Sequence, residues 1–268
     1  MIEEPPPPDP QPQLEPEAPL PAPDAQPEAH LPAPERYPFW GYLDLIFFAG
    51  LVIPSMLIGW AVVKAGMFLF HIHALRVAEL LSEQFLGYGV LFGGLLLIFR
   101  LQYERPFWRS LGWTRASIPF LWNVICGLGA AFLVALIGYW IHTPNVSNPM
   151  TEMMQDRTSV ILLATFGVTF GPLCEELAFR GFLQPLLVRS LGAVPGILAA
   201  TIPFGLLHFQ EYGNSWRHAV LIALAGASFG WMRHATGSTR AATIMHASYN
   251  ALFFFVLFAQ RRELPHIW

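Results

Sequence analysis

The sequence has few charged side chains. Only 12% of its 268 residues are charged, whereas 54% are hydrophobic. A soluble domain usually carries about 25% charged residues, so this chain has too few charges to cover a water-facing surface. Residues 45–63, 116–141 and 191–207 contain no Asp, Glu, Lys, Arg or His. Each run approaches the roughly 20 apolar residues that a transmembrane helix needs. The alternative, buried core helices of a soluble fold, is disfavoured because such helices are usually apolar on one side only.

Cysteine is scarce as well. The two cysteines, Cys126 and Cys174, both lie in apolar runs and are too few for a disulfide framework. We expect both to pack as small apolar side chains. The first residues are acids and prolines rather than a basic stretch followed by an apolar segment, so the sequence predicts no cleavable signal peptide.

Acids and prolines are concentrated at the N-terminus. Residues 1–36 contain eight of the eighteen acids and a single base, and residues 1–38 contain fourteen of the twenty-four prolines. Such a composition buries too little apolar surface to offset the entropy of ordering. It predicts a disordered, partly polyproline-II tail over 1–38 and a transmembrane helical domain over 39–268. The domain has more bases than acids, which suits anionic lipid and requires no nucleic-acid partner.

The apolar runs predict an all-α, polytopic membrane bundle of about seven spans. Segment 65–83, with three charged side chains, is predicted to be an interfacial or re-entrant helix, and the aromatic residues at 37–40 a membrane-interface belt. Arginines around the connector 101–115 predict that it is cytoplasmic, with the N-terminus inside and the C-terminus outside, although Arg261 and Arg262 argue against the latter. The predicted spans are 41–63, 85–100, 117–141, 158–187, 192–209, 216–233 and 240–259.

Polar residues nevertheless occur in three of these spans. A charged residue inside a span costs roughly 2.5–3.5 kcal/mol, which makes it a candidate functional residue. Glu176 and Arg180 are one helical turn apart and are predicted to pair. Glu175 has no basic partner at helical spacing and is left free for chemistry. Each feature alone has an ordinary explanation, as a helix end, an interfacial histidine or a packing hydrogen bond. The other polar residues are His208 in the fifth span, and His246 with Asn250 in the seventh.

Together the three motifs resemble a known family. Glu-Glu-x-x-x-Arg at 175–180, Phe-x-x-x-His at 204–208 and His-x-x-x-Asn at 246–250 are similar, in kind and order, to the signature of the CPBP family. This family contains the CAAX proteases, the bacteriocin-processing and self-immunity proteins, and their Abi relatives. The resemblance covers a motif region at 158–259.

The resemblance implies an intramembrane endopeptidase with a defined set of site residues. Glu175 would be the general base and would activate a water molecule together with His208. Donors for the developing oxyanion would be His246 and Asn250. Glu176 would pair with Arg180 and have a secondary catalytic role, and Phe204 would pack beneath His208.

Several alternatives stay open at this point. The reaction is either metal-free or uses Zn²⁺ held by Glu175, His208 and His246 with water as the fourth ligand. The implied partners are the lipid bilayer and a membrane-anchored peptide or protein, of CAAX-type prenylated or leader-peptide kind. The implied location is a bacterial plasma membrane. A non-proteolytic membrane scaffold or bacteriocin self-immunity protein of the same family is the alternative function. A proton-coupled transporter is less well supported, because the polar residues all lie in the C-terminal half.

Overall fold

A computed structural model describes Met1 and residues 36–144, 152–154 and 156–261. The chain divides into two units, Met1–Glu35 and Arg36–Trp268, and every described helix belongs to the second. The predicted disordered tail lies almost wholly outside the described residues, so its disorder stays a prediction.

The described part of the second unit is all helical, as predicted, with no strand. Two π-helical segments interrupt it, π1 (Ile98–Gln102) and π2 (Leu177–Leu183). The α-helices that lie wholly within the described residues are α1 (Tyr42–Leu69), α2 (Arg76–Leu97), α3 (Phe107–Ser110), α4 (Phe120–Trp140), α5 (Arg157–Val168), α6 (Phe170–Glu176), α7 (Gln184–Leu191), α8 (Ala193–Leu207), α9 (Trp216–Thr236) and α10 (Thr239–Arg261).

A multi-pass membrane bundle is confirmed. Among the described residues, five helical stretches are long and apolar enough to cross a bilayer, fewer than the seven predicted spans. The predicted span 192–209 is the 15-residue helix α8, which extends only about 22 Å, less than the roughly 30 Å hydrocarbon core. The predicted span 216–233 is α9, which carries Arg217 and Arg233 near its ends. The five stretches are Tyr42–Leu69, Arg76–Gln102, Phe120–Trp140, Arg157–Leu191 and Thr239–Ala259.

The predicted interfacial helix at 65–83 is wrong. Helix α1 continues to Leu69, and a second long helix begins at Arg76, so this segment is the tip of a helical hairpin. Glu79 pairs with Lys64 of α1 and with Arg76, whose Nη1 lies 3.1 Å from the Glu79 carboxylate. The charges that suggested a separate surface helix therefore neutralise one another across the hairpin, a pairing that spacing along one helix does not reveal.

Large apolar side chains cover the outside of the bundle, as expected for helices that face lipid. Leu43, Phe68 and Phe132 are among those exposed. Trp40 departs from the predicted interface belt because it is fully buried. Its indole N–H donates to the Phe182 carbonyl oxygen at 3.1 Å, and its ring stacks on Phe182 at 5.4 Å. The residues before α1 are thereby fixed against π2, the segment that follows the two glutamates.

The C-terminal helices pack closely around π2. Helix α8 packs against α7 and α9, and α10 packs against α4. Gly127 permits the last of these contacts, because a Cβ atom there would collide with the backbone carbonyl of Met245. This packing brings the residues of all three sequence motifs into one region.

Candidate active site

The helix that carries the glutamates is irregular on both sides of them. Pro172 lacks an N–H group, and its ring clashes with the carbonyl of the residue four positions earlier, which is Val168. Helix α5 accordingly ends at Val168, and Thr169 has non-helical backbone angles (φ −122°, ψ −80°). The π-helical segment begins directly after Glu176. Such segments often occur at functional sites.

Glu176 and Arg180 form a buried ion pair. Arg180 Nη1 lies 2.9 Å from Glu176 Oε1, with side-chain exposures of 2% and 0%. Arg180 Nη2 donates to the Gly226 carbonyl oxygen at 2.7 Å. The guanidinium carbon lies 4.4 Å from the centre of the Phe204 ring, a cation–π arrangement. Backbone and ring contacts thus supplement the ion pair in this apolar interior.

His246 lies between the two glutamates. Its Nδ1 is 2.9 Å from Glu176 Oε1 and its Nε2 is 3.9 Å from Glu175 Oε2. Its ring stacks on Phe229 at 4.5 Å. Because Arg180 holds the Glu176 carboxylate as an acceptor, Nδ1 of His246 carries the proton. A neutral His246 then has its lone pair on Nε2, facing Glu175.

His208 is oriented in the same way by a backbone group. Its Nδ1 lies 2.8 Å from the Phe204 carbonyl oxygen, which only accepts, so Nδ1 donates and Nε2 carries the lone pair. The buried Phe204 ring is 5.0 Å from the His208 ring and 6.0 Å from the His246 ring. Both histidines therefore border one aromatic side chain.

Asn250 lies one turn after His246 on α10 and contacts the break in the glutamate helix. Its Nδ2 donates to the Gly167 carbonyl oxygen at 2.8 Å, a group near the end of α5 that lacks a regular helical partner. The contact fixes α10 against the break. The second hydrogen on Asn250 Nδ2 is not used in this bond. The role of Asn250 as an oxyanion donor stays a prediction.

Glu211 is a nearby acid that the motifs did not indicate. It lies in the connection between α8 and α9, and its side chain reaches the surface. Desolvation by the surrounding protein raises the pKa of the Glu211 carboxyl group. Interaction with His208 lowers this pKa, and the negative charge of Glu175 raises it. Glu211 is therefore close to both residues of the predicted water-activating pair. The only sequence signal is its position three residues after His208.

The predicted zinc ligands do not form a metal site. No group of three His, Cys, Asp or Glu side chains within the described ranges is arranged to hold a metal ion. Glu175, His208 and His246 were the proposed zinc ligands, and the contact of His246 Nδ1 with Glu176 leaves its Nε2 free, as in a metal-binding histidine. The three groups have the right chemistry for zinc, but in the described residues they are not placed closely enough together to hold it.

Comparison with known families agrees with the geometry. Residues 156–252 match the family model described as Rce1-like, a type II CAAX prenyl endopeptidase. This region belongs to the CAAX-protease family. The match confirms the resemblance carried by the three motifs and includes every predicted site residue, whereas residues 1–155 lie outside it. Residues 156–252 are thus similar to a family of integral membrane proteases, and the long apolar helices of the chain are those of a multi-pass membrane protein. Searches of curated proteins and of solved structures found no match.

Gly226 is required for the close approach of α9 to the ion pair. A Cβ atom there would come within 2.8 Å of both Arg180 Nη2 and a ring carbon of Phe204. We expect Gly226→Ala to destabilise the protein by about 1–3 kcal/mol through overpacking, measured as a lower Tm in detergent. Gly129→Ala is the control, since a Cβ atom at Gly129 meets nothing within 4 Å. Equal Tm values for the two variants would contradict the tight packing at Gly226.

Proposed function

We propose that the chain is an intramembrane endopeptidase that hydrolyses a peptide bond of a membrane-associated substrate, using water activated by Glu175. The observation that carries the proposal is the 3.9 Å separation between Glu175 Oε2 and His246 Nε2. It is too long for a direct hydrogen bond and can be spanned by one water molecule bonded to both groups. The Glu175 carboxylate is then beside the water, while Glu176 orients the imidazole of His246.

Glu175 is proposed to take a proton from this water as the oxygen attacks the scissile carbonyl. The proton then passes to the leaving amine, so that the carboxylate is regenerated. The lone pair on His208 Nε2 provides a second acceptor for orienting the water. General base catalysis of this kind contributes typically about 100- to 10,000-fold in rate.

His246 and Asn250 are proposed to stabilise the oxyanion of the tetrahedral intermediate. His246 donates from Nε2 in the form that carries a proton on both ring nitrogens. Asn250 has a second Nδ2 hydrogen beyond the one bonded to Gly167. Donors fixed in position beforehand are effective because they need no reorganisation during the reaction.

An apolar cavity near the site suits the lipid-like part of a substrate. The cavity, of about 460 Å³, lies between α4, α9 and α10. It is lined by Met245 and Ser228, each directly before a residue of the site, and by Trp231. This lining favours a prenylated CAAX-type substrate over a polar leader peptide.

Proteolysis by the purified full-length chain tests the proposal. Matched farnesylated and unmodified CAAX-type peptides, and a leader-type peptide, are incubated with the protein in liposomes, with and without a chelator. We expect cleavage of the farnesylated peptide that survives the chelator and is lost in both Glu175→Ala and His208→Ala. Glu83→Gln, which changes a glutamate of α2 outside the site, is the matched control.

Two outcomes would decide against the proposal. Unchanged cleavage in both Glu175→Ala and His208→Ala would exclude the assigned base. Absence of cleavage of every peptide, together with an in-cell phenotype that survives Glu175→Gln, would favour the alternative, a non-proteolytic scaffold or self-immunity protein.

Glu211 is expected to affect the pH dependence of cleavage. The pKa of Glu211 is raised, so this side chain becomes negatively charged at a higher pH than an ordinary glutamate. Once it is charged, its repulsion makes the carboxyl group of Glu175 harder to deprotonate. Glu211→Gln removes that charge. The acidic limb of the kcat/KM profile should therefore move to lower pH, by about half a unit or more. An unshifted profile, or a shift to higher pH, would contradict the proximity of Glu211 to the site.

A further inference from the structure

A second cavity, rich in basic side chains, lies outside the site. Its volume is about 270 Å³, and its polar lining residues are Tyr37, Gln184, Arg189, Arg233 and His234. Gln184 directly follows π2 and lies four residues after Arg180. Its side-chain amide donates to the Gly230 carbonyl oxygen at 2.8 Å. None of the residues that line this cavity is acidic.

The two arginines of this cavity have only neutral partners. Arg233 Nη2 donates to the Tyr37 hydroxyl oxygen at 2.9 Å, and Arg189 Nη1 donates to the Pro38 carbonyl oxygen. Within the part of the chain that the structure describes, neither forms an ion pair with a carboxylate. Arginine stays charged in proteins, and burying a charge is costly unless an opposite charge accompanies it.

Among the described residues, two buried polar atoms of side chains that line the cavity have no hydrogen-bond partner. These are Arg233 Nε and Gln184 Oε1, on side chains that are 92% and 97% buried by their exposures of 8% and 3%. Buried polar groups normally have partners. The guanidinium groups of Arg189 and Arg233 match a phosphate group, whose oxygens accept from arginine.

The place of the cavity in the fold suits a membrane headgroup. Arg189 lies near the end of the stretch Arg157–Leu191, and Arg233 and His234 lie in the last turn of α9. Ser238, shortly after the end of α9, donates to the Thr114 carbonyl oxygen, so this end lies beside the connector 101–115, which is predicted to be cytoplasmic, where anionic lipids attract basic residues. We propose that this cavity binds a phosphate group, supplied either by an anionic phospholipid headgroup or by free phosphate.

Ligand binding to the full-length protein tests the proposal. The protein in detergent is titrated separately with short-chain phosphatidylglycerol, short-chain phosphatidylcholine and inorganic phosphate, and Kd and Tm are measured. We expect phosphatidylglycerol to bind wild type, and its affinity to fall about tenfold or more in Arg189→Gln, because a charge-assisted hydrogen bond is lost. Arg240→Gln is the matched control, an exposed arginine on the same side that does not line the cavity.

The three ligands separate the two sources of phosphate. Binding of phosphatidylglycerol that millimolar inorganic phosphate does not displace identifies a lipid headgroup. A rise in Tm with inorganic phosphate alone, absent in Arg189→Gln, identifies free phosphate. Arg233→Lys, which keeps the charge without the planar fork, should bind more weakly than wild type and more tightly than Arg233→Gln. Equal losses in Arg189→Gln and Arg240→Gln, or no binding of either phosphate ligand by wild type, would overturn the proposal.

Discussion

Glu175→Gln is expected to lower kcat/KM for the cleaved peptide by about 100- to 10,000-fold, the usual contribution of a general base. The amide of glutamine has almost the same size and cannot accept the proton of the attacking water. Tm should stay unchanged, because the Glu175 side chain is 26% exposed and lies 3.9 Å from His246, too far for a direct hydrogen bond. Steady-state cleavage and thermal unfolding on the same preparation provide the two measurements.

The neighbouring glutamate should behave differently. Glu176 is fully buried and bonds both Arg180 and His246, so Glu176→Gln should lower activity and Tm together. Glu83→Gln is the control for removing a glutamate from an apolar helix. If Glu175→Gln lowers Tm as much as Glu176→Gln, or leaves kcat/KM unchanged, the assignment of Glu175 as the base is wrong.

The part of the site that the sequence could predict is the part made by one helix. Glu176 and Arg180 are four residues apart, and the structure places them in contact. The contact between Glu176 and His246 joins residues 70 positions apart, and no spacing rule indicates which of two adjacent glutamates a distant histidine will bond. The family resemblance predicted that they share a site. Only the geometry shows that His246 lies between the two carboxylates.

The errors in the predicted fold have the same physical origin. Lys64 and Glu79 are 15 residues apart and belong to different helices, so composition alone made the segment between them look like a surface helix. Trp40 looked interfacial because aromatic residues are common at membrane edges. Its burial depends on Phe182, 142 positions away, which accepts its N–H. Helix propensity and hydropathy are local properties, whereas these contacts depend on how the helices pack.

Arg180→Met is expected to have the largest effect on stability. The substitution leaves the buried Glu176 carboxylate without its guanidinium partner, and removal of one member of a buried ion pair typically costs about 3–5 kcal/mol. It also removes the donor to the Gly226 carbonyl oxygen and the cation above the Phe204 ring. The loss is measured as the free energy of unfolding in detergent, or as the fall in Tm.

The double variant Glu176→Gln/Arg180→Met separates lost charge pairing from lost packing. Neutralising both members removes the uncompensated charge, so the double variant should be more stable than Arg180→Met alone. In Arg180→Met, His246 is the remaining hydrogen-bond partner of Glu176. If the double variant is instead less stable than Arg180→Met, the guanidinium acts mainly by packing between Phe204 and Phe229. Glu176 would then contribute to stability only through its hydrogen bond to His246. Its role would be to orient the His246 imidazole towards the water held by Glu175.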